Sequence, residues 1–174
     1  NPEKLFISNA GVGSSSHLIA ALVTNAAGLK PTLVAYKGAG PALVDVIGGQ
    51  VDGMFDQTNT ALPQIQQKKV RALAVTSRAR LPQLQQVPTL AETVLPGFEA
   101  STWYGIYAPK GTPKAALEAV QNAYLTAMKD KDFTAKMTAQ AIQLLPAADY
   151  TGPALARHTE AEFCAGVPPP PRRD

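Results

Sequence analysis

Short apolar runs alternate with amphipathic stretches through the first half of this chain. Leu5-Phe6-Ile7-Ser8 and Leu33-Val34-Ala35-Tyr36 have the length and composition of buried strands. Each runs into a glycine-bearing loop and then a helical pattern. The first helix is expected over 17–27, with Leu18, Ile19, Leu22, Val23 and Ala26 on one buried stripe and Gly28 at its C-terminal cap. The second opens at Pro41, runs towards Ile47 and stops at Gly48-Gly49. A third strand is predicted over 51–55, ending on Asp56, then a short helix over 60–67 with Pro63 in its first turn, then a fourth strand over 71–76. Strands alternating with helices predict an α/β fold with a parallel sheet.

The pattern changes beyond residue 78. Pro82, Pro88 and Pro96 break it into loop and one short helix, and Thr89-Leu90-Ala91-Glu92 has the spacing of a capping box that starts a helix at Leu90. Residues 101–108, rich in aromatics, read as a strand. Tyr107 is assigned to the core there, whereas Trp103 and Tyr104 suit either the core or a pocket wall. Thr112-Pro113 predicts an N-cap followed by proline at the first helical position, with Leu117, Val120, Tyr124, Leu125 and Met128 on one helix face. Two further helices are expected over about 133–140 and 153–162, then an extended, unpacked tail with four consecutive prolines.

Composition narrows the function classes. The chain has 174 residues, 45% hydrophobic and 17% charged, which describes a globular protein with a core. The net charge of +3 is spread thinly, with Lys68, Lys69 and Arg71 as the one tight internal basic cluster, so nucleic-acid binding is not expected. A single cysteine, Cys164, and two histidines, His17 and His158, without metal-ligand spacing argue against a metal site, and no cofactor is implied. No apolar run approaches the ~20 residues of a membrane span, and the polar opening Asn1-Pro2-Glu3-Lys4 does not read as a signal peptide.

The candidate chemistry lies in the two strand–loop–helix units. Each offers the free N–H groups of a helix N-terminus, with glycines that let a ligand approach the main chain. In the first loop, Gly13, Ser14, Ser15 and His17 can donate to an anion, or Ser14 or Ser15 can simply cap the helix. In the second, Gly38 and Ala39 present N–H groups, while Lys37 is either a charge for the ligand or a solvated side chain. Asp56, at a strand's C-terminal end, either receives an amine or ordered water or caps the next helix. The nucleotide fingerprints fail: Gly11-x-Gly13 lacks the third glycine of a dinucleotide site, and no lysine follows it as in a P-loop. A hydrolase would need a serine paired with a base, yet no Gly-x-Ser-x-Gly exists and His17 would have to fold back on its own loop.

An ordered series of motifs carries a family resemblance. It comprises Ser8-Asn9-Ala10-Gly11-Val12-Gly13-Ser14-Ser15-Ser16-His17-Leu18, Tyr36-Lys37-Gly38-Ala39-Gly40-Pro41-Ala42-Leu43 and Gly48-Gly49-Gln50-Val51-Asp52-Gly53-Met54-Phe55-Asp56. Arg71-Ala72-Leu73-Ala74-Val75-Thr76-Ser77, Val87-Pro88-Thr89-Leu90-Ala91-Glu92, Leu95-Pro96-Gly97-Phe98-Glu99 and Trp103-Tyr104-Gly105-Ile106-Tyr107-Ala108-Pro109 continue it. The chain resembles the extracytoplasmic solute receptors of tripartite tricarboxylate transporters, the Bug proteins. The resemblance implies a type II periplasmic binding protein-like α/β fold, with one near-complete lobe over 1–102, a return segment of the other lobe over 103–162 and a disordered Pro-rich tail over 163–174. It implies a non-enzymatic periplasmic receptor that binds a small organic carboxylate and delivers it to membrane permease subunits. Ligand-contacting roles fall on Ser14, Ser15, His17, Gly38, Ala39 and Asp56. The alternatives are an esterase-like hydrolase using a loop serine, a receptor-derived sensor module, or an inactive fragment. Lacking most of the first lobe, the chain is expected to expose apolar surface there and to be prone to self-association.

Overall fold

A computed structural model describes residues 4–146 and 149–166. Three strands form a parallel sheet in the order β2-β1-β3, with β1 Phe6–Asn9 in the centre, β2 Thr32–Ala35 on one side and β3 Gly53–Met54 on the other. The register places Ile7 opposite both Leu33 and Gly53. Asp52 fixes the start of this pairing twice over, donating its N–H to the Phe6 carbonyl at 2.9 Å and accepting the Phe6 N–H on its carboxylate at 2.8 Å. The third strand is much shorter than the 51–55 expected, because ladder bonds to β1 run only through Gly53 and Met54.

Helix α1, Ser15–Ala26, and helix α2, Ala39–Ile47, each end in a double hydrogen-bonded cap. Gly28 (φ 67°) donates to Asn25 while Leu29 donates to Thr24; Gly49 (φ 70°) and Gln50 repeat the pattern on Val46 and Asp45. The buried face of α1 is Ser16, Ala20, Val23 and Thr24; of the predicted stripe Val23 is buried, whereas Leu18 and Leu22 are more than half exposed and Ala26 is exposed too. Small residues win that face because they let the helix approach the sheet closely, and Thr24 returns its hydroxyl to the Ala20 carbonyl at 2.8 Å.

Helix α3, Thr58–Gln66, starts two residues before its expected position, so Pro63 lies in its second turn and not its first. Its last turn is closed by Lys68 in the left-handed region (φ 58°), a place usually given to glycine. Leu62 on α3 anchors a core cluster with Leu84 and Val87, packed by Ile65, Ala72, Val75, Leu81 and Ala141. Residues 71–76 do not form the expected strand. Among the described residues only Val75 pairs, in a parallel bridge to Thr89, and a ladder cannot extend where no second strand lies alongside. A 3₁₀ turn, Pro82–Leu84, precedes the short helix α4, Leu90–Thr93, whose capping box is formed as predicted: Glu92 N–H to the Thr89 hydroxyl at 3.1 Å, Thr89 N–H to the Glu92 carboxylate at 2.7 Å.

The chain divides into two compact units, Asn1–Trp103 with Ala139–Ile142, and Tyr104–Thr138 with Gln143–Asp174. The second contains helices α5, Lys114–Ala127, α6, Lys131–Ala139, up to its last residue, and α7, Gly152–Gly166. Pro113 itself is the N-cap of α5, and Thr112 bonds back to the Pro109 carbonyl instead of capping. No residue of α5 is buried, and the predicted face leaves Leu117, Val120 and Tyr124 substantially exposed. Tyr124 packs edge-on against Tyr150 with ring centres 5.3 Å apart. Residues 101–108 carry no strand, and Tyr107, expected in the core, is 62% exposed. Helix α7 continues through Gly166, into the stretch expected as tail; residues 167–174 lie outside the described residues.

Candidate functional site

Because all three strands are parallel, α1, α2 and α3 all begin at the same edge of the sheet, beyond the strands' C-terminal ends. Such an edge is where open α/β sheets bind ligands. The loops between strand and helix are stitched together there by main-chain bonds. Tyr36 N–H donates to the Asn9 carbonyl and Gly38 N–H to the Ala10 carbonyl, each at 3.0 Å. Gly11 (φ 129°) lies so close to the second loop that a Cβ would stand 3.1 Å from the Tyr36 carbonyl oxygen. The two glycine loops are therefore neighbours on one surface, as the sequence reading requires.

The first loop is built by its own serines. Ser14 caps α1, accepting the His17 N–H at 3.3 Å and donating its hydroxyl to the Gly11 carbonyl at 2.6 Å. Ser16 is buried and accepts the Ala10 N–H at 2.8 Å, with its hydroxyl 3.2 Å from that of Ser14. These two serines shape the loop. Ser15 points elsewhere, accepting from the Gln57 side-chain amide at 3.2 Å and so joining the mouth of α1 to that of α3. His17 does fold back on its loop: its Nδ1 accepts the Gly13 N–H at 3.3 Å, which leaves Nε2 as the ring nitrogen able to donate. Ser14 meets the main chain of His17, not its imidazole, so the pair is not arranged as nucleophile and base.

In the second loop, Gly38 (φ 112°) is the N-cap of α2, and its N–H is spent on Ala10. The expectation that Gly38 presents this N–H to a ligand is corrected: it couples the loops. Ala39 and Gly40 form the first turn of α2, and their N–H groups have no partner among the described residues. The same holds for Ser15 and Ser16 on α1 and for Thr58 and Asn59 on α3. Lys37 is exposed beside them, and nothing lies within 4 Å of a Cβ built at Gly13, Gly38 or Gly40, so the loops are not plugged.

Asp56 follows β3 and is half-buried. Its carboxylate accepts the Thr60 hydroxyl at 2.8 Å, while the N-cap position of α3 belongs to Gln57 and has no side-chain capping bond. Burial raises its pKa above the ordinary carboxylate range, against the opposing pull of the Thr60 hydroxyl and the Gln57 N–H. Tyr36 is tied to α2 by its phenol, 2.6 Å from the Asp45 carboxylate, and that bond raises its pKa.

Two residues of this edge escaped the sequence reading. Gln57 joins α3 to Ser15, and the polar run Asp56-Gln57-Thr58 directly after an apolar strand was the available signal. Asn9, fully buried at the end of β1, accepts the Gly11 N–H at 3.0 Å and keeps a buried Nδ2 without a partner among the described residues. Among the described residues there is no group of three or more His, Cys, Asp or Glu side chains placed for a metal ion, and no helix long and apolar enough to cross a membrane.

Residues 1–149 match the family described as "Tripartite tricarboxylate transporter family receptor". A UPF0065 protein in the tcbD-tcbE intergenic region of Pseudomonas sp. (strain P51) is 48% identical over 119 residues, 68% of this chain and 35% of that protein. The periplasmic binding protein BugD superposes with a TM-score of 0.89 at 35% identity over 95% of this chain and 55% of BugD. MatC from Rhodopseudomonas palustris, with bound malate, gives 0.89 at 31% identity over 94% of this chain and 56% of MatC. The chain thus spans about a third of the curated relative's length and just over half of the solved ones. It has the periplasmic-binding-protein type of α/β fold, and it belongs to the tripartite tricarboxylate transporter family of receptors.

Proposed function

We propose that this chain carries one wall of a carboxylate-binding cleft in a periplasmic, non-enzymatic receptor, which hands its ligand to a membrane permease. The observation that carries the reading is the convergence of three helix mouths, with six N–H groups lacking a described partner, on one sheet edge. Helix N-termini favour negative charge, and two linked loops can hold the oxygens of a carboxylate without a metal ion. MatC, whose structure holds malate, shares this fold at 31% identity. Ser15, His17 through Nε2, Ala39 and the Gly13 surface are the contacts assigned to the ligand; Ser14 and Gly38 position them. Asp56, half-buried beside the mouth of α3, accepts a ligand N–H or an ordered water. The first unit represents one lobe, and the second unit the returning part of the other.

The arrangement of the serines favours a receptor over a hydrolase, since neither Ser14 nor Ser16 is directed at the imidazole. Thermal denaturation with malate and other small carboxylates tests the reading. Ligand at about 100 times Kd adds about 2.7 kcal/mol, which for a chain of this size raises Tm by roughly 5–10 °C. No shift with any carboxylate, in this chain and in a longer parent alike, removes the proposal.

A further inference from the structure

Charge sign is unevenly placed along this chain. Residues 57–91 hold five of the sixteen basic side chains and none of the thirteen acidic ones. Three of the five, Lys68, Lys69 and Arg71, directly follow α3, a nine-residue helix whose far end lies about 13 Å from its mouth. All three are exposed and line an open groove of about 570 Å³. Its floor includes Ile65, Ala72 and Val87, which also pack in the cluster around Leu62, so the groove is backed by core. Among the described residues no carboxylate lines the groove, and none pairs with the three cations. Lys68 moreover stands in the left-handed region (φ 58°), where glycine would be unstrained but would bring no charge.

Unpaired cations around a groove repel one another and concentrate anions there, and a polyanion meets all three at once. The shape of the groove selects among polyanions. A flat bilayer surface would touch the cations and leave the apolar floor uncovered. Single-stranded nucleic acid uses aromatic stacking platforms, and residues 57–91 contain no Phe, Tyr or Trp. An acidic polypeptide satisfies both parts, with carboxylates on the cationic rim and an apolar side chain on the floor. We infer that this groove is a docking site for an acidic segment of a partner protein, separate from the carboxylate cleft and filled independently of it. The charge and shape of the groove carry this assignment, whatever the helix mouths bind.

The test uses the 174-residue chain and a fluorescein-labelled octapeptide, Glu-Glu-Leu-Glu-Glu-Leu-Glu-Glu, read by anisotropy at low ionic strength. The triple variant Lys68→Gln, Lys69→Gln, Arg71→Gln is expected to bind it about tenfold more weakly, and about 0.5 M salt is expected to abolish binding. The variant Lys110→Gln, Lys129→Gln, Lys136→Gln makes the same change in net charge at exposed sites elsewhere and should stay within about twofold of the parent. Lys68→Gly separates binding from folding: its Tm should rise while peptide affinity falls roughly twofold. Malate in excess should weaken the peptide no more than sodium chloride of equal ionic strength. Three results overturn the inference: no peptide binding at low ionic strength, with capture of phosphatidylglycerol vesicles in its place making a membrane the occupant; equal losses in the two triple variants, which makes net charge the cause; or displacement by malate beyond the salt reference, which puts the peptide in the cleft.

Discussion

Gly38 donates its main-chain N–H to the carbonyl of Ala10 at 3.0 Å, and with the Tyr36–Asn9 bond this makes a single surface of two loops that follow different strands. The geometry needs glycine, since φ at Gly38 is 112°. A substitution here strains the second loop and detaches it from the first. Gly38→Ala is expected to cost about 1–2 kcal/mol in chemical denaturation and to weaken carboxylate binding in calorimetry.

A companion pair separates strain from crowding. Gly11 and Gly13 both have positive φ, 129° and 80°, but only Gly11 faces another atom, the Tyr36 carbonyl oxygen. Gly11→Ala is therefore expected to lower Tm more than Gly13→Ala, and equal losses would contradict the close approach of the loops.

Proline gives a clean test of main-chain donors. Ala39 is the first helical residue of α2, where proline is tolerated because that N–H has no helical partner. Ala39→Pro is expected to leave stability within about 1 kcal/mol of the parent while reducing the thermal shift given by malate. An unchanged shift would take Ala39 out of the ligand's contacts.

Asp56 predicts a pH effect of defined sign. Burial raises its folded pKa, so the folded state is penalised above that pKa, and the penalty fades as pH falls to the unfolded value near about 3.9. Asp56→Asn should raise Tm at pH 7, with the gain vanishing in acid. Glu92 runs the other way. The Thr89 N–H, then Arg80 at 2.9 Å, hold its carboxylate below the ordinary range, so its contribution is present above the unfolded pKa and lost as pH drops through the folded one. Glu92→Gln is expected to flatten the acid limb of a Tm–pH profile.

Core packing gives the largest stability effect. Leu62 is 2% exposed at the centre of its cluster, and Leu62→Ala is expected to cost about 2–5 kcal/mol in urea denaturation, with the midpoint falling accordingly.

Local chemistry was legible in the sequence wherever it decides the outcome by itself. The caps at Gly28 and Gly49, the Thr89–Glu92 box and the order of strands and helices through α3 follow from short-range rules. What failed depended on neighbours. Residues 71–76 and 101–108 have strand composition, but strand formation needs a partner ladder that composition does not report. The buried face of α1 went to Ser16, Ala20 and Thr24 because closeness to the sheet outweighed side-chain size. At the candidate site, the roles of the residues singled out divide differently from the expectation. An N–H donor such as that of Gly38 and a hydroxyl such as that of Ser14 can serve a ligand or the loop itself, and only coordinates tell which.

Ala141 belongs to the first unit although the whole Tyr104–Thr138 stretch precedes it. Its place against Leu62, Leu84 and Val87 can be filled only after that stretch has been synthesised. Cutting the chain between α5 and α6 would leave both pieces sharing that core, whereas ending it before Ala139 would open it.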